Sequence, residues 1–214
     1  MSSPAPVDAR RIEVDPARIA RWVAGFGERH GTPDWTAGAG TLTLVAPDGA
    51  QAVLEPWLPV RPCPAGEVAA LTAWADPPRV LGLVLVRRGG YAVGLAEGER
   101  LVAHKAGTRY VQARTAAGGW SQQRYARRRG NQADALATTV ADHALRLVLP
   151  GDPRALVVGG DRALVRDVLA DPRLAPLAGL PRRELPDLPD PRLAVLEQAL
   201  RRGRAVRVLV SDGA

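Results

Sequence analysis

Between Arg79 and Val210 the chain sets out an order of elements that limits the available folds more than any other feature. The apolar runs "RVLGLVLV", "YAVGLAE" and "RLVAHKA" are separated by "RRGG" and by a turn at Gly98, and the third continues through "TRYVQAR". Short strands joined by tight turns predict an antiparallel meander. Further on, "RALVVGGD" reads as a continuous apolar strand that feeds a helix at Asp161. The segment "PRRELPD", a helix over residues 190–202 and the run "AVRVLV" complete an alternation of α and β. Antiparallel strands followed by that alternation predict a mixed sheet with helices on its faces, an α/β layer fold of ribonuclease-H-like type.

Residues 1–78 read as a smaller α+β module ahead of this domain, with the double proline Pro77-Pro78 as the boundary and residues 79–214 as the second unit. The first dozen residues show no pattern and are expected to be disordered. A helix starts with Asp15 as N-cap and Pro16 at the first helical position; Ile19, Trp22, Val23 and Phe26 then fall on one face before Gly31 ends it. That stripe is core packing. "TLTLVAP", "PDGA" and "QAVLEPWLP" predict a hairpin over Thr41–Pro59, and "AGEVAALTAWAD" a short helix. Hydrophobic residues make up 46% of the 214, enough for a packed core. No apolar run of about 18 residues offers a membrane span, and the opening "MSSPAPVDARR" has no signal-peptide character, so a cytoplasmic location is expected. Cys63 is the single cysteine and cannot form an internal disulfide. With it, the scattered His30, His104 and His143 supply no zinc ligand set, and no cofactor is implied.

The net charge of +7 is local in origin. Residues 100–133 hold Arg100, Lys105, Arg109, Arg114, Arg124, Arg127, Arg128 and Arg129 without one acid, so the remainder of the chain is close to neutral. A cation block without counter-ions is either a solvated face or the electrostatic footprint of a phosphate-binding surface, and the phosphate reading fits better. It coincides with a long predicted helix, residues 122–147. Leu136, Val140, Ala144 and Leu147 form an apolar stripe that docks the second half. The first half has Tyr125 as its only sizeable apolar side chain, with Arg124, Arg127, Arg128, Arg129 and Asn131 around the axis. It is expected to project as a basic arm carrying the preceding loop at its tip.

That loop, "TAAGGWSQQ", contains no carboxylate, cysteine or histidine. Gly118 and Gly119 permit close backbone approach, and the amides that follow lie at a helix N-terminus, where negative charge is favoured. A Ser121 nucleophile with His143 as base fails on distance, since 22 residues along a helix span about 33 Å. Gln122 and Gln123 do not titrate near neutral pH and cannot serve as general acid or base. A glutamine can place water and offer hydrogen bonds to a reaction that brings its own labile bond and proton path. An activated ester on RNA meets that requirement.

The stretch "GTRYVQARTAAGGWSQQRYARRRGNQADAL", a Gly-Gly-x-Ser-Gln type loop between a basic strand and an arginine-rich helix, resembles the Vms-like release factors. These are relatives of the central domain of eukaryotic and archaeal class 1 peptide release factors, and the likeness is to a bacterial branch described as peptidyl-tRNA hydrolases. It covers residues 79–210. The resemblance implies that the loop enters the peptidyl transferase centre of the large ribosomal subunit. There Gln122 would help place the hydrolytic water, its backbone amide would stabilise the leaving 3′ oxygen, and the terminal ribose hydroxyl would assist proton transfer. Gly118 and Gly119 would give the loop reach; Arg124, Arg127, Arg128 and Arg129 would grip ribosomal RNA or the acceptor end of peptidyl-tRNA, with Lys105, Arg109 and Arg114 extending the surface. Trp120 and Ser121 lengthen the loop relative to the release-factor Gly-Gly-Gln, which makes Gln123 a rival of Gln122. A nuclease cutting near the tRNA 3′ CCA end and a non-catalytic RNA-binding or ribosome-binding module are the alternative readings.

Overall fold

The computed structural model describes residues 9–38, 40–57, 66–108 and 121–213, with the side chains of 121–131 outside the description. Its contacts divide the chain into two units: Met1–Pro77 with Arg204–Ala214, and Pro78–Gly203.

In the first unit β1 (Arg10–Val14) precedes a short 3-10 turn and α1 (Ile19–His30), followed by β2 (Asp34–Ala37), β3 (Leu42–Val45), β4 (Gln51–Glu55) and α2 (Leu71–Ala75). The start of α1 follows from its sequence. Asp15 accepts a hydrogen bond from the Ala17 amide at 2.8 Å, Pro16 is buried at the first position, and Gly31 closes the helix at φ 87°, a conformation that disfavours any side chain. Ile19, Val23 and Phe26 are buried among Leu42, Leu44, Ala52 and Leu54; Trp22 is half-buried at the margin. The β3–β4 hairpin forms as expected. Its turn is held by Asp48, whose carboxylate accepts from the Ala50 amide at 3.0 Å and meets His30 Nδ1 at 2.8 Å. Two strands depart from the sequence reading. Arg10–Val14, part of a stretch read as disordered, is β1, and Asp34–Ala37 is β2.

The second unit carries the mixed sheet. β5 (Val80–Arg87), β6 (Gly90–Glu97) and β7 (Arg100–Thr108) form the antiparallel meander; α3 (Ser121–Leu147), β8 (Ala155–Gly160), α4 (Arg162–Leu169), α5 (Ala175–Ala178), β9 (Arg182–Leu185) and α6 (Leu193–Arg204) follow. The strand order is β7-β6-β5-β8-β9, antiparallel from β7 to β5 and parallel from β5 to β9. This is the ribonuclease-H-like arrangement. Strands β5, β6 and β8 are apolar almost throughout because both faces are covered. Val84, Val86, Val93, Leu156 and Val158 face α3 and α4, whereas Leu196 of α6 packs over Gly94 and Val157 lies against Gly203 on the other side. Asp161 starts α4 by accepting from the Ala163 and Leu164 amides at 2.9 and 3.2 Å. In α3 the buried face runs through Leu136, Ala137, Val140, Ala141 and Ala144 to Val148, so Val148 takes the last core place that the spacing assigned to Leu147.

The run "AVRVLV" does not close this sheet. As β10 (Val206–Ser211) it returns to the first unit and pairs antiparallel with β1 on one side and β4 on the other, giving the order β1-β10-β4-β3-β2. Val206, Val208 and Val210 complete the core under α1. The first unit is therefore built from both ends of the chain, where the sequence reading drew its limit at residue 78.

Candidate functional site

β7 and α3 stand on either side of residues 109–120, the stretch in which the sequence reading placed the candidate loop. Of the residues singled out in the sequence, Arg109, Arg114, Gly118 and Gly119 lie outside the described residues. Ser121, Gln122 and Gln123 are the first three residues of the 27-residue α3, and Arg124, Arg127, Arg128 and Arg129 follow in its first turns; the side chains of all seven lie outside the description. The first turn contains no acid. The partial positive charge at the helix N-terminus is thus left uncompensated by a carboxylate of its own.

The docked half of α3 is held in three ways. Its apolar face is buried from Leu136 onward, with Ala133 half-buried just before it. Gln122 sits 14 residues ahead of Leu136, about 21 Å along a regular helix. On one flank His143 Nε2 meets the Tyr91 hydroxyl at 2.9 Å, with the two rings stacked at 5.2 Å between centroids. On the other, Arg173 bridges Asp142 of α3 at 2.9 Å and Asp171 at 2.7 Å. That guanidinium holds the Asp171 carboxyl down at about 2, helped by the Arg173 backbone amide.

The tautomer of His143 follows from its neighbours. Arg146 Nη2 lies 3.0 Å from His143 Nδ1, and a guanidinium can only donate, so Nδ1 is the acceptor and Nε2 carries the proton. The ring therefore donates to the Tyr91 oxygen. Burial, and after it the charges of Arg146 and Lys105, hold the imidazole below its ordinary range, while Asp142 opposes them weakly. At neutral pH His143 is an uncharged structural group at the root of α3, 22 residues from Ser121. A serine–histidine pair is excluded.

Lys105 stands opposite Val93 in the β6–β7 register, and Val93 lies in the core beneath α3. Lys105 is exposed and on the α3 side of the sheet. His104 stands opposite Gly94, which packs against Leu196 of α6, and so takes the opposite face. Tyr91 was missed in the sequence, being read only as part of an apolar strand. Its signal is Gly107 on the neighbouring strand: a Cβ there would come within 2.7 Å of the Tyr91 ring, so the ring lies directly on the backbone that leads into the loop. Among the described residues no group of three or more His, Cys, Asp and Glu is placed to hold a metal ion, and no helix is long and apolar enough to cross a membrane.

The model of a family described as the Actinobacteria/chloroflexi VLRF1 release factor matches residues 79–209, well over half of the chain. No curated protein matches significantly. Solved structures similar to the chain include the Vms1 mitochondrial localization core, at 14% identity and a TM-score of 0.47, covering 89% of this chain and 80% of that one. The archaeal translation termination factor aRF1 is similar at 18% identity and a TM-score of 0.40, over 91% of this chain and 64% of that one. A structure described as an archaeal protein is similar at 16% identity and a TM-score of 0.36, over 92% and 65%.

Proposed function

Because the chain belongs to the Actinobacteria/chloroflexi VLRF1 release factor family, we propose that it is a peptidyl-tRNA hydrolase that frees the nascent chain from stalled ribosomes. Membership alone makes it a ribosome-associated release or rescue factor. The finer reading rests on one observation: Ser121, Gln122 and Gln123 open an acid-free helix N-terminus, separated from Gly118 and Gly119 by Trp120 alone. Water attacks the carbonyl carbon of the ester, the bond to the ribose 3′ oxygen breaks, and that oxygen takes up a proton through the neighbouring ribose hydroxyl. The Gln122 side chain orients the water. Its backbone amide, reinforced by the helix N-terminus, stabilises the charge that develops on the 3′ oxygen. No protein group titrates in this scheme, which accords with a loop devoid of acids and bases.

The cations have a separate task. Arg124, Arg127, Arg128 and Arg129, extended by Lys105, Arg109 and Arg114, hold ribosomal RNA or the tRNA acceptor end while the loop occupies the peptidyl transferase centre in the cytoplasm. Peptide release from purified 50S complexes bearing peptidyl-tRNA tests the proposal. Gln122→Ala is expected to lower the release rate by at least about a hundredfold, the scale of losing one positioned hydrogen-bonding group at a reacting centre, with binding retained. Release at the parental rate by both Gln122→Ala and Gln123→Ala would refute the mechanism. Sequencing the 3′ end of the product tRNA separates ester hydrolysis, which leaves an intact CCA, from nuclease action, which shortens it.

A further inference from the structure

The proposed chemistry uses nothing in the first unit, yet that unit carries a built surface of its own. Between the sheet edge at β1 and the outer face of α1 runs an open groove of about 760 Å³. Arg18, Arg21 and Arg29 line it together with Trp22, Gly25 and the half-buried Ile12. The three arginines are exposed, and among the described residues none has an ion-pair partner. Other surface arginines are drawn to carboxylates, Arg154 to Asp152, Arg162 to Glu184, Arg166 to Asp167 and Arg202 to Asp187, whereas these three stand together on one face. Two carboxylates do line the groove, but both are engaged in the fold. Asp15 caps the turn before α1, and Glu13 stands opposite Arg207 in the β1–β10 register.

We infer that this groove binds the backbone of single-stranded RNA, as a second contact separate from the loop and α3. Arg18 ends the turn that leads into α1 and Arg29 lies in its last turn, eleven residues on and about 16 Å along the axis, so the guanidinium groups form a line rather than a point and suit a repeating anion. Trp22 supplies an aromatic wall whose orientation is held by stacking on Phe26 at 5.8 Å. Cations in a row beside an aromatic ring are the elements of sequence-tolerant single-strand binding. An added peptide strand suits the site less well, because β1 itself bears Arg10 and Arg11, and edge cations oppose strand pairing.

Gly25 provides a test that leaves charge untouched. A Cβ at this position has nothing within 4 Å, so the helix accommodates a side chain there and Gly25→Leu fills the groove without disturbing the core. Fluorescence anisotropy with a labelled single-stranded RNA oligonucleotide is measured over a range of salt. It is done in the parent and in a background with Arg127, Arg128 and Arg129 changed to alanine, which removes much of the basic helix's contribution. The triple variant Arg18→Ala, Arg21→Ala, Arg29→Ala is expected to weaken binding roughly tenfold and to lower the slope of log K against log salt by about 2, at about 0.7 per lost phosphate contact. Gly25→Leu should weaken binding with an unchanged melting temperature. If both variants bind RNA as their parents do, the inference fails; it also fails if an acidic peptide binds the parent but not Gly25→Leu while RNA binding stays intact. Gln122→Ala should keep groove binding in full, so a failure of the proposed hydrolysis reads separately from a failure here.

Discussion

Removing one oxygen atom, in Tyr91→Phe, probes how the root of α3 is held. The hydroxyl accepts from His143 Nε2 at 2.9 Å, and both residues are largely withdrawn from solvent. Phenylalanine keeps the stacked ring pair and its contact with Gly107, so the loss is confined to the hydrogen bond and to the stranded Nε2–H. One such bond is worth about 1 kcal/mol net, a fall of about 2–4 °C in melting temperature for a chain of this size. Urea unfolding followed by circular dichroism, with midpoints and slopes compared at pH 8 and pH 5.5, measures it. The tautomer makes the pH comparison decisive. Nε2 carries a proton whether the ring is neutral or cationic, so the cost of the substitution should be nearly the same at both values. A cost present at pH 8 and absent at pH 5.5 would mean that tyrosine donates to a bare Nε2, which overturns the assigned tautomer and the role given to Arg146.

Two further outcomes follow from the same packing. His143 has its folded-state value below the unfolded one, so below about 6.5 the unfolded chain takes up a proton that the folded chain resists. Its contribution leaves stability unchanged above that pH and reduces it as pH falls toward the folded value; a pH series of unfolding free energies should show this decline, flattened in His143→Gln. Leu136 is fully buried where α3 first meets the sheet, and Leu136→Ala should cost about 2–5 kcal/mol by the cavity it leaves, measured by the same unfolding curves.

Local chemistry was the legible part of the sequence. Asp15, Pro16 and Gly31 delimit the first helix because capping is decided within a few residues, and the start of α3 is read to within one residue because the glycines end just before it. The second sheet was legible as well: meander, then alternation, leaves few topologies. What escaped depends on partners far away in the chain. Val206–Ser211 alternates like any strand, and nothing in "AVRVLV" states that its neighbours are Arg10–Val14 and Gln51–Glu55. The five residues of β1 are charged at every other position or more, which hid an edge strand among residues read as disordered. Tyr91 and His143 are 52 residues apart, and only the folded sheet brings the hydroxyl to the ring. The candidate site divides along the same line: its residue types follow from the loop and helix sequence, whereas the root that holds the helix is a tertiary product.

The return of β10 to the first sheet sets an order of maturation. β10 is the second strand in the order β1-β10-β4-β3-β2, and among the described residues β1 pairs with no other strand. During synthesis the N-terminal residues therefore leave the ribosome with an incomplete sheet, and they wait while the whole of residues 78–203 is made, roughly 10 s at bacterial elongation rates. The ribonuclease-H-like unit has all its strands before the first unit does. The surface carrying Arg18, Arg21 and Arg29 acquires its edge strand only once the last strand has emerged, so an arrested or truncated chain would present the mixed sheet without a finished groove.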